Sequence, residues 1–382
     1  MKKYEKLRCK ILIAVFLIFI FGFASAGFIC KDRDFSEMEN RNLAQFPEFS
    51  FEKLKSGDFT GGVESYMSDQ VFLKDQLVSL KTDCERAVLK TYQNGAYFGK
   101  YGYYLQQYTE NSLQIDKNIG YINDWAKKVQ NNIPIDFILV PNAVSVLKDY
   151  LPQFAVNDKQ TDSLKHIENI LSDRIWLLNA YEPLKIKADK GEQVFYKTDH
   201  HWTDAGANAV FEAYLSAKNE SESDISFDNT INRKDFYGTL YSKAPSAFAK
   251  PDTMILPDHS GAVHHVEYVK EGKTADSLID ESFLDKKDKY AAFLGGNFAR
   301  INIKSDNSAV NEKVLILKDS YANAMMPYLA NQYSDLIVVD MRYYHFEEQT
   351  VSELVKNEDI DRVIMIYNMD FINSDDNFLW LE

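Results

Sequence analysis

Two segments of this 382-residue chain carry side chains able to turn a hydroxyl into a nucleophile for acyl groups. The first is Tyr196-Lys197-Thr198-Asp199-His200-His201-Trp202-Thr203. In an extended chain residues two apart share a side, so Asp199 and His201 are expected together and His200 opposite them. A carboxylate beside a histidine orients the imidazole and stabilises its protonated form. Alone, the pair fits a buried structural hydrogen bond equally well. The second segment is Val314-Leu315-Ile316-Leu317-Lys318-Asp319-Ser320, an apolar run ending in a serine at the turn into a helical pattern. In open α/β sheets the reactive crevice lies beyond the carboxyl ends of the strands. The amides at the start of a helix there can stabilise an oxyanion. Alone, Ser320 fits the role of a helix cap.

Together the segments supply a nucleophile, a base and a group to orient the base. The Ser320 hydroxyl is expected roughly 2.6–3.2 Å from the His201 ring. The other ring nitrogen is expected on Asp199, rather than on Asp204 or Asp319. Asp204 belongs in the first turn of a helix capped by Thr203. Asp199-His200-His201 also spells a signature of manganese phosphoesterases, but those need further Asp and His blocks to bridge two metals. His259, His264 and His265 read as a solvated loop, since adjacent histidines rarely ligate one ion. No cofactor or metal motif is assigned.

The elements that must position these residues follow from hydrophobic patterning. Apolar runs at Phe137–Val140, Ile175–Leu178, Val314–Leu317, Leu336–Val339 and Val363–Ile366 alternate with helical patterns. The helical patterns cover Asn111–Val129, Lys159–Ser172, Thr203–Leu215, Tyr321–Gln332 and Phe346–Lys356. This alternation implies an α/β fold, a parallel sheet with helices on both faces. Residues 218–312 are polar and break the rhythm, so an inserted irregular region is expected there. Gly99–Leu105 reads as a hairpin, and residues 61–92 as helical.

The first ten residues carry four Lys and one Arg against one Glu, and Ile11–Cys30 is uncharged. A basic end before an apolar run is an export signal, and this run is about long enough to span a bilayer. Ala24-Ser25-Ala26 resembles a signal-peptidase site, so the segment is an anchor or a cleaved signal. The expected organisation is 1–30 anchor, 31–95 stalk and wrapping segment, and 96–382 reactive domain with the insertion at about 218–312. The net charge of −14 argues against nucleic acid as a partner. Aromatics make up 14% of the chain; they suit sugar stacking as well as core packing. Cys9, Cys30 and Cys84 are too few for a disulfide framework, and nothing in the sequence supports a Cys30–Cys84 bridge.

The Asp199-His200-His201-Trp202 block with the later Lys318-Asp319-Ser320 resembles the DHHW protein family, which is similar to alginate O-acetyltransferases of the AlgX/AlgJ type. Flanking blocks agree: Ser36-Glu37-x-Glu39-Asn40-Arg41, Gly99-Lys100-x-Gly102, Val140-Pro141-Asn142, Leu151-Pro152 and Asp340-x-Arg342-Tyr343. The resemblance implies an SGNH-hydrolase-like fold, with Ser320 as nucleophile, His201 as base and Asp199 as its orienter. It makes Gly296 and Asn297 candidate oxyanion donors, with a plain glycine turn as the alternative, and Arg342 a candidate substrate ligand. It implies a polysaccharide acceptor outside the cytoplasm and a membrane-bound O-acyltransferase supplying acetyl groups. Lys318 departs from the family's glycine, and no counterpart of the alginate enzyme's carbohydrate-binding module is expected. An acetyl esterase with the same residues, or a non-catalytic polysaccharide-binding scaffold, are the other readings.

Overall fold

The structure is a computed structural model describing residues 2–221, 229–258, 264–345 and 349–381. The chain forms two compact units, Met1–Lys90 with Ala244–Ala249, and Thr91–Lys243 with Lys250–Glu382.

The larger unit is built on an eight-stranded sheet. Its strands in chain order are β1 (Ile135–Val140), β2 (Ile175–Asn179), β3 (His264–Tyr268), β4 (Lys273–Ala275), β5 (Arg300–Ser305), β6 (Val310–Lys318), β7 (Tyr333–Asp340) and β8 (Arg362–Asn368). They lie side by side as β4-β3-β5-β7-β6-β8-β1-β2. The five strands from β7 to β2 are parallel neighbours. The register Leu315↔Ile337 and Leu315↔Val363 places β6 in the middle. Val314–Leu317 and Val363–Ile366 have no solvent exposure, as continuous apolar runs in a sheet covered on both faces require. The expected α/β architecture, a parallel sheet packed between helices, therefore stands.

Helices around it include α1 (Ser112–Lys128), α2 (Gln160–Ile170), α3 (Asp204–Lys218), α4 (Met326–Gln332) and α5 (Val351–Asn357). Asn111 caps α1 by accepting from the Gln114 amide, and Thr203 caps α3 by accepting from Gly206. Thr350 and Glu353 form a reciprocal capping box on α5. The expected start of that helix at Phe346 lies outside the described residues. The helix expected over Tyr321–Gln332 begins as a tight 3₁₀ segment, Ser320–Met325, and becomes α only with Pro327 in its first turn. Proline lacks the amide that a continuous helix would need there.

The polar stretch 218–312 is more regular than expected. It supplies β3, β4 and β5, which extend the sheet antiparallel beyond β7. Asn229–Phe236 and Asp252–Asp258 pair as a separate antiparallel ribbon. On β3, buried and exposed residues alternate, so no apolar run marks it. This corrects the loop reading of the histidines. His264 is buried on β3, 2.9 Å from the Ser305 hydroxyl, and burial pushes it down to about 4. His265 is exposed, and His259 lies outside the described residues.

In the smaller unit, the helix Lys2–Ile29 holds a stretch, Tyr4–Gly27, long and apolar enough to cross a membrane. A signal sequence passes the same test. The expected helical region appears as Asp58–Asp69 and Lys74–Ala87. Arg41 grips Asp69 with two hydrogen bonds of 2.8 and 2.6 Å, and Lys74 adds a third at 2.8 Å. The Arg41 contact above all holds the Asp69 carboxyl below its usual range. All three cysteines are unpaired.

Candidate active site

The block carrying Asp199 and His201 is not an extended strand. It is a tight loop closed by an antiparallel bridge between Phe195 and Trp202. Asp199 Oδ1 accepts the His201 backbone N–H at 2.9 Å and lies 2.6 Å from the same residue's Nδ1. A turn folded around its own carboxylate, rather than strand alternation, thus brings the two side chains together. His200 is not opposite: its ring centroid is 3.8 Å from that of His201.

His201 Nε2 lies 2.9 Å from Ser320 Oγ. A carboxylate can only accept, so the proton sits on Nδ1, leaving Nε2 free to accept from the serine hydroxyl. Asp199 and His201 are 2% and 5% exposed, while Ser320 is half-buried and reachable. Asp319 and Asp204 are engaged elsewhere. Asp319 accepts from the Tyr321 amide at 2.8 Å and from both nitrogens of Asn368 at 2.7 Å. Asp204 accepts from the Tyr328 hydroxyl at 2.7 Å.

The two loops are tied at further points. Trp202 Nε1 donates to the Tyr321 carbonyl at 2.8 Å, and the Tyr321 hydroxyl donates to the His200 carbonyl. Asn142, just past β1, donates to the Tyr321 hydroxyl at 3.1 Å. The Tyr290 ring lies flat on the His201 ring, with centroids 3.7 Å apart and planes 8° from parallel. Its hydroxyl donates to the Ser320 carbonyl at 3.1 Å.

Several of these supports had no sequence signal. Thr239 donates to Asp199 Oδ2 from its amide at 2.8 Å and from its hydroxyl at 3.1 Å. Burial alone would raise the Asp199 carboxyl; the two imidazoles and these hydrogen bonds outweigh it and hold it below the usual carboxylate range. Burial, with His201 beside it, pushes His200 down to about 3. Buried Asp252 fastens the approach to the loop, accepting from the amides of Lys197 and Thr198 at 2.9 and 2.8 Å. Asp199, His200 and His201 offer three ligand atoms within 4.8 Å of one another, but each of these side chains already holds a protein partner.

Gly238 is the sharpest constraint. A Cβ there would sit 2.2 Å from the Asp199 Cβ and 2.3 Å from its Oδ2. Gly238→Ala must therefore push Asp199 away from His201. A displacement of about 1 Å is expected to slow any His201-assisted reaction of Ser320 by about a hundredfold. Steady-state rates on a small activated ester check this, with circular dichroism to establish that the fold survives.

The remaining candidates fall into a second cluster. Lys318, the last residue of β6, has no solvent exposure, and its Nζ contacts Asn297 Oδ1 at 3.1 Å and Asp340 Oδ2 at 3.2 Å. Arg342 grips the same Asp340 with Nε at 2.9 Å and Nη2 at 2.6 Å. Burial pushes the Lys318 ammonium down while Asp340 pulls it back up. Where the family has glycine, this chain has a buried ion pair. Asn297 Oδ1 also accepts from Asn323 Nδ2 at 3.1 Å, which fixes its carbonyl toward these donors. Gly295 and Gly296 take φ of +68° and +117°, a turn that glycine permits. Neither Asn297 nor Arg342 is hydrogen-bonded to Ser320 or His201. Asp319, between Lys318 and Ser320, is a second buried carboxylate within the electrostatic reach of Lys318 and Arg342, so the cluster holds two cations against two carboxylates.

A sequence model described as DHHW protein matches residues 87–339, well over half of the chain. No curated protein matches it in sequence. Among solved structures, a DHHW family protein from Eubacterium siraeum is 22% identical with a TM-score of 0.65, covering 76% of this chain and 95% of that one. PatB1 from Bacillus cereus is 20% identical with a TM-score of 0.62, covering 73% and 97%. It has also been solved with a sulfonyl adduct. The O-acetyltransferase domain of Pseudomonas putida AlgJ is more distant, at 13% identity and a TM-score of 0.46 over 74% and 93%. At these identities the likenesses bear on the fold.

Proposed function

Because this chain belongs to the DHHW protein family, we propose that it is a serine acyl-transfer enzyme, an O-acetyltransferase acting on a cell-surface or exported polysaccharide. The observation that carries this reading is the continuous run of contacts from Asp199 through His201 to the Ser320 hydroxyl, at 2.6 and 2.9 Å. In the first half-reaction Ser320 Oγ attacks the acetyl carbon of a donor ester, and His201 Nε2 takes the hydroxyl proton. Asp199 stabilises the imidazolium that results. The donor's alcohol leaves with that proton, and the acetyl group stays as an ester on Ser320. In the second half-reaction a sugar hydroxyl gives its proton to His201 and attacks the ester carbon. The sugar becomes acetylated and Ser320 recovers its proton. Water in place of the sugar makes the same machinery an esterase.

The apolar helix Lys2–Ile29 supports a location at the outer face of a membrane. There a membrane-bound O-acyltransferase is the proposed source of acetyl groups.

The test is covalent capture. Full-length protein in detergent is incubated with an aryl sulfonyl fluoride and then digested for mass spectrometry. The expected adduct sits on Ser320 alone, and its formation stops release of nitrophenol from nitrophenyl acetate. The adduct on PatB1 makes this reagent a natural choice. Full ester turnover with no modification of Ser320 would refute the reading.

A further inference from the structure

We infer that a cleft at the same end of the sheet as Ser320, lined by Tyr268, Asp280, Phe283, Gly295 and Phe298, holds the acceptor polysaccharide, and that it selects uncharged sugars over uronic acids. The inference rests on the acyl-transfer reading above and names the acceptor class.

The cleft has a volume of about 750 Å³, within the usual range for small-ligand sites of roughly 300–1,000 Å³. One wall is aromatic. Tyr268 and Phe298 have ring centroids 4.7 Å apart and planes 59° from parallel. Tyr268 is only 8% exposed, yet it lines the cleft. Its hydroxyl lies 3.5 Å from where a side chain at Gly295 would begin, and Asp280 Oδ2 is at the same distance. A ring face beside a hydroxyl and a carboxylate is the chemistry that recognises a sugar: C–H faces stack on the ring, and hydroxyls bond to the polar rim. Gly295, at φ +68°, keeps the mouth of the cleft clear where any side chain would narrow it.

The cleft joins the Ser320 neighbourhood through one short peptide. Gly295 lines it, and Asn297, at most about 7 Å further along the chain, accepts from Asn323 at 3.1 Å. Asn323 follows Ser320 by three residues within the 3₁₀ segment. In that geometry residues i and i+3 eclipse one another, so Ser320 and Asn323 share a face. Tyr268 pairs with Ile301, Ile301 with Val338 and Val338 with Ile316, so the cleft lies at the sheet end that carries Ser320, three strand spacings or about 14 Å from β6, a span that a short oligosaccharide covers.

The charge of the lining sets the class of sugar. Asp276, Asp280 and Glu281 outnumber Lys273 and Lys286 in the lining, and Lys286 already lies 3.8 Å above the Phe283 ring. With a chain charge of −14 behind it, this lining repels a polymer bearing one carboxylate per residue. Neutral or amino sugars meet no such barrier.

The experiment uses full-length protein in detergent with nitrophenyl acetate as donor and two acceptors, a neutral gluco-oligosaccharide and an oligogalacturonate. Acetylated sugar is counted by mass spectrometry against free acetate, giving the partition between transfer and hydrolysis. Misfolding lowers both products alike, so the ratio survives partial loss of protein. Wild type is expected to acetylate the neutral acceptor at least tenfold more efficiently than the uronate. Phe298→Ala is expected to raise KM for the neutral acceptor and shift the partition toward acetate by about tenfold, the scale of one lost stacking contact. Asp280→Asn is expected to narrow the gap between the two acceptors. Equal use of the uronate, or a partition unmoved in both variants, overturns the inference. Ester hydrolysis with no transfer to either sugar overturns the acceptor assignment and leaves the serine chemistry standing. Absence of any Ser320-dependent hydrolysis removes both.

Discussion

Ser320→Ala is expected to reduce acetyl release from nitrophenyl acetate by about 10⁴- to 10⁶-fold in turnover. The substitution removes one oxygen from a half-buried side chain at the start of a 3₁₀ segment. The cap of that segment is the Asp319 side chain on the Tyr321 amide, which does not involve the serine hydroxyl. The variant should therefore melt within a few degrees of the wild type. Thermal unfolding by circular dichroism, paired with steady-state rates, separates chemistry from folding. A folded variant that retains wild-type turnover would eliminate Ser320 as the nucleophile.

Asp199→Asn is expected to cost on the order of 10⁴-fold in turnover, for a reason visible in its contacts. Oδ1 receives the His201 amide and faces Nδ1, while Oδ2 receives the Thr239 amide and hydroxyl. An asparagine has one acceptor oxygen for these two sites. Facing His201, its NH₂ group forces the imidazole proton onto Nε2, where it opposes the Ser320 hydroxyl. Facing Thr239, it meets an amide donor. The pH dependence of stability follows from the sign of the shift. The folded carboxyl titrates below its unfolded value of about 3.9, so its stabilising contribution is complete above that value. It is lost as pH falls through the folded value. The stability gap between wild type and Asp199→Asn should be widest near neutrality and close progressively below about pH 4. Urea melts at several pH values measure it; a gap that grows on acidification would contradict the environment assigned to Asp199.

The three candidate side chains, Asp199, His201 and Ser320, were legible because each has a local mark: an Asp-x-His block, and a serine at the end of an apolar strand. Their geometry was less so. Strand alternation is the simplest way for Asp199 and His201 to meet, yet the loop folds back through the Phe195–Trp202 bridge, and His200 lands beside His201. Gly238, Thr239, Asp252 and Tyr290 leave no trace in local sequence, because their roles arise from contacts across long separations. All four fall in the polar stretch, where no periodic pattern draws notice. The strands of that stretch were hidden for a related reason. β3 spends only alternate residues on the core, and β4 has just three residues, so neither shows the continuous apolar run that announced β6 and β8. Arg342 was marked by a motif, but its guanidinium is spent on Asp340, a partner that proximity in sequence hinted at and only the structure assigned.

The order of the sheet also bears on how the protein is made. β8, the latest strand in sequence, is inserted between β6 and β1 rather than added at a rim. During synthesis, at about 5–20 residues per second, β6 and β1 have no partner along the edges that β8 fills until residues 362–368 emerge. Such edges invite pairing with other chains, so this interval is when holdase chaperones matter most. A premature stop a few codons before β8 would remove the centre of the sheet, and with it Asn368, whose amide and side chain clamp Asp319 next to Ser320.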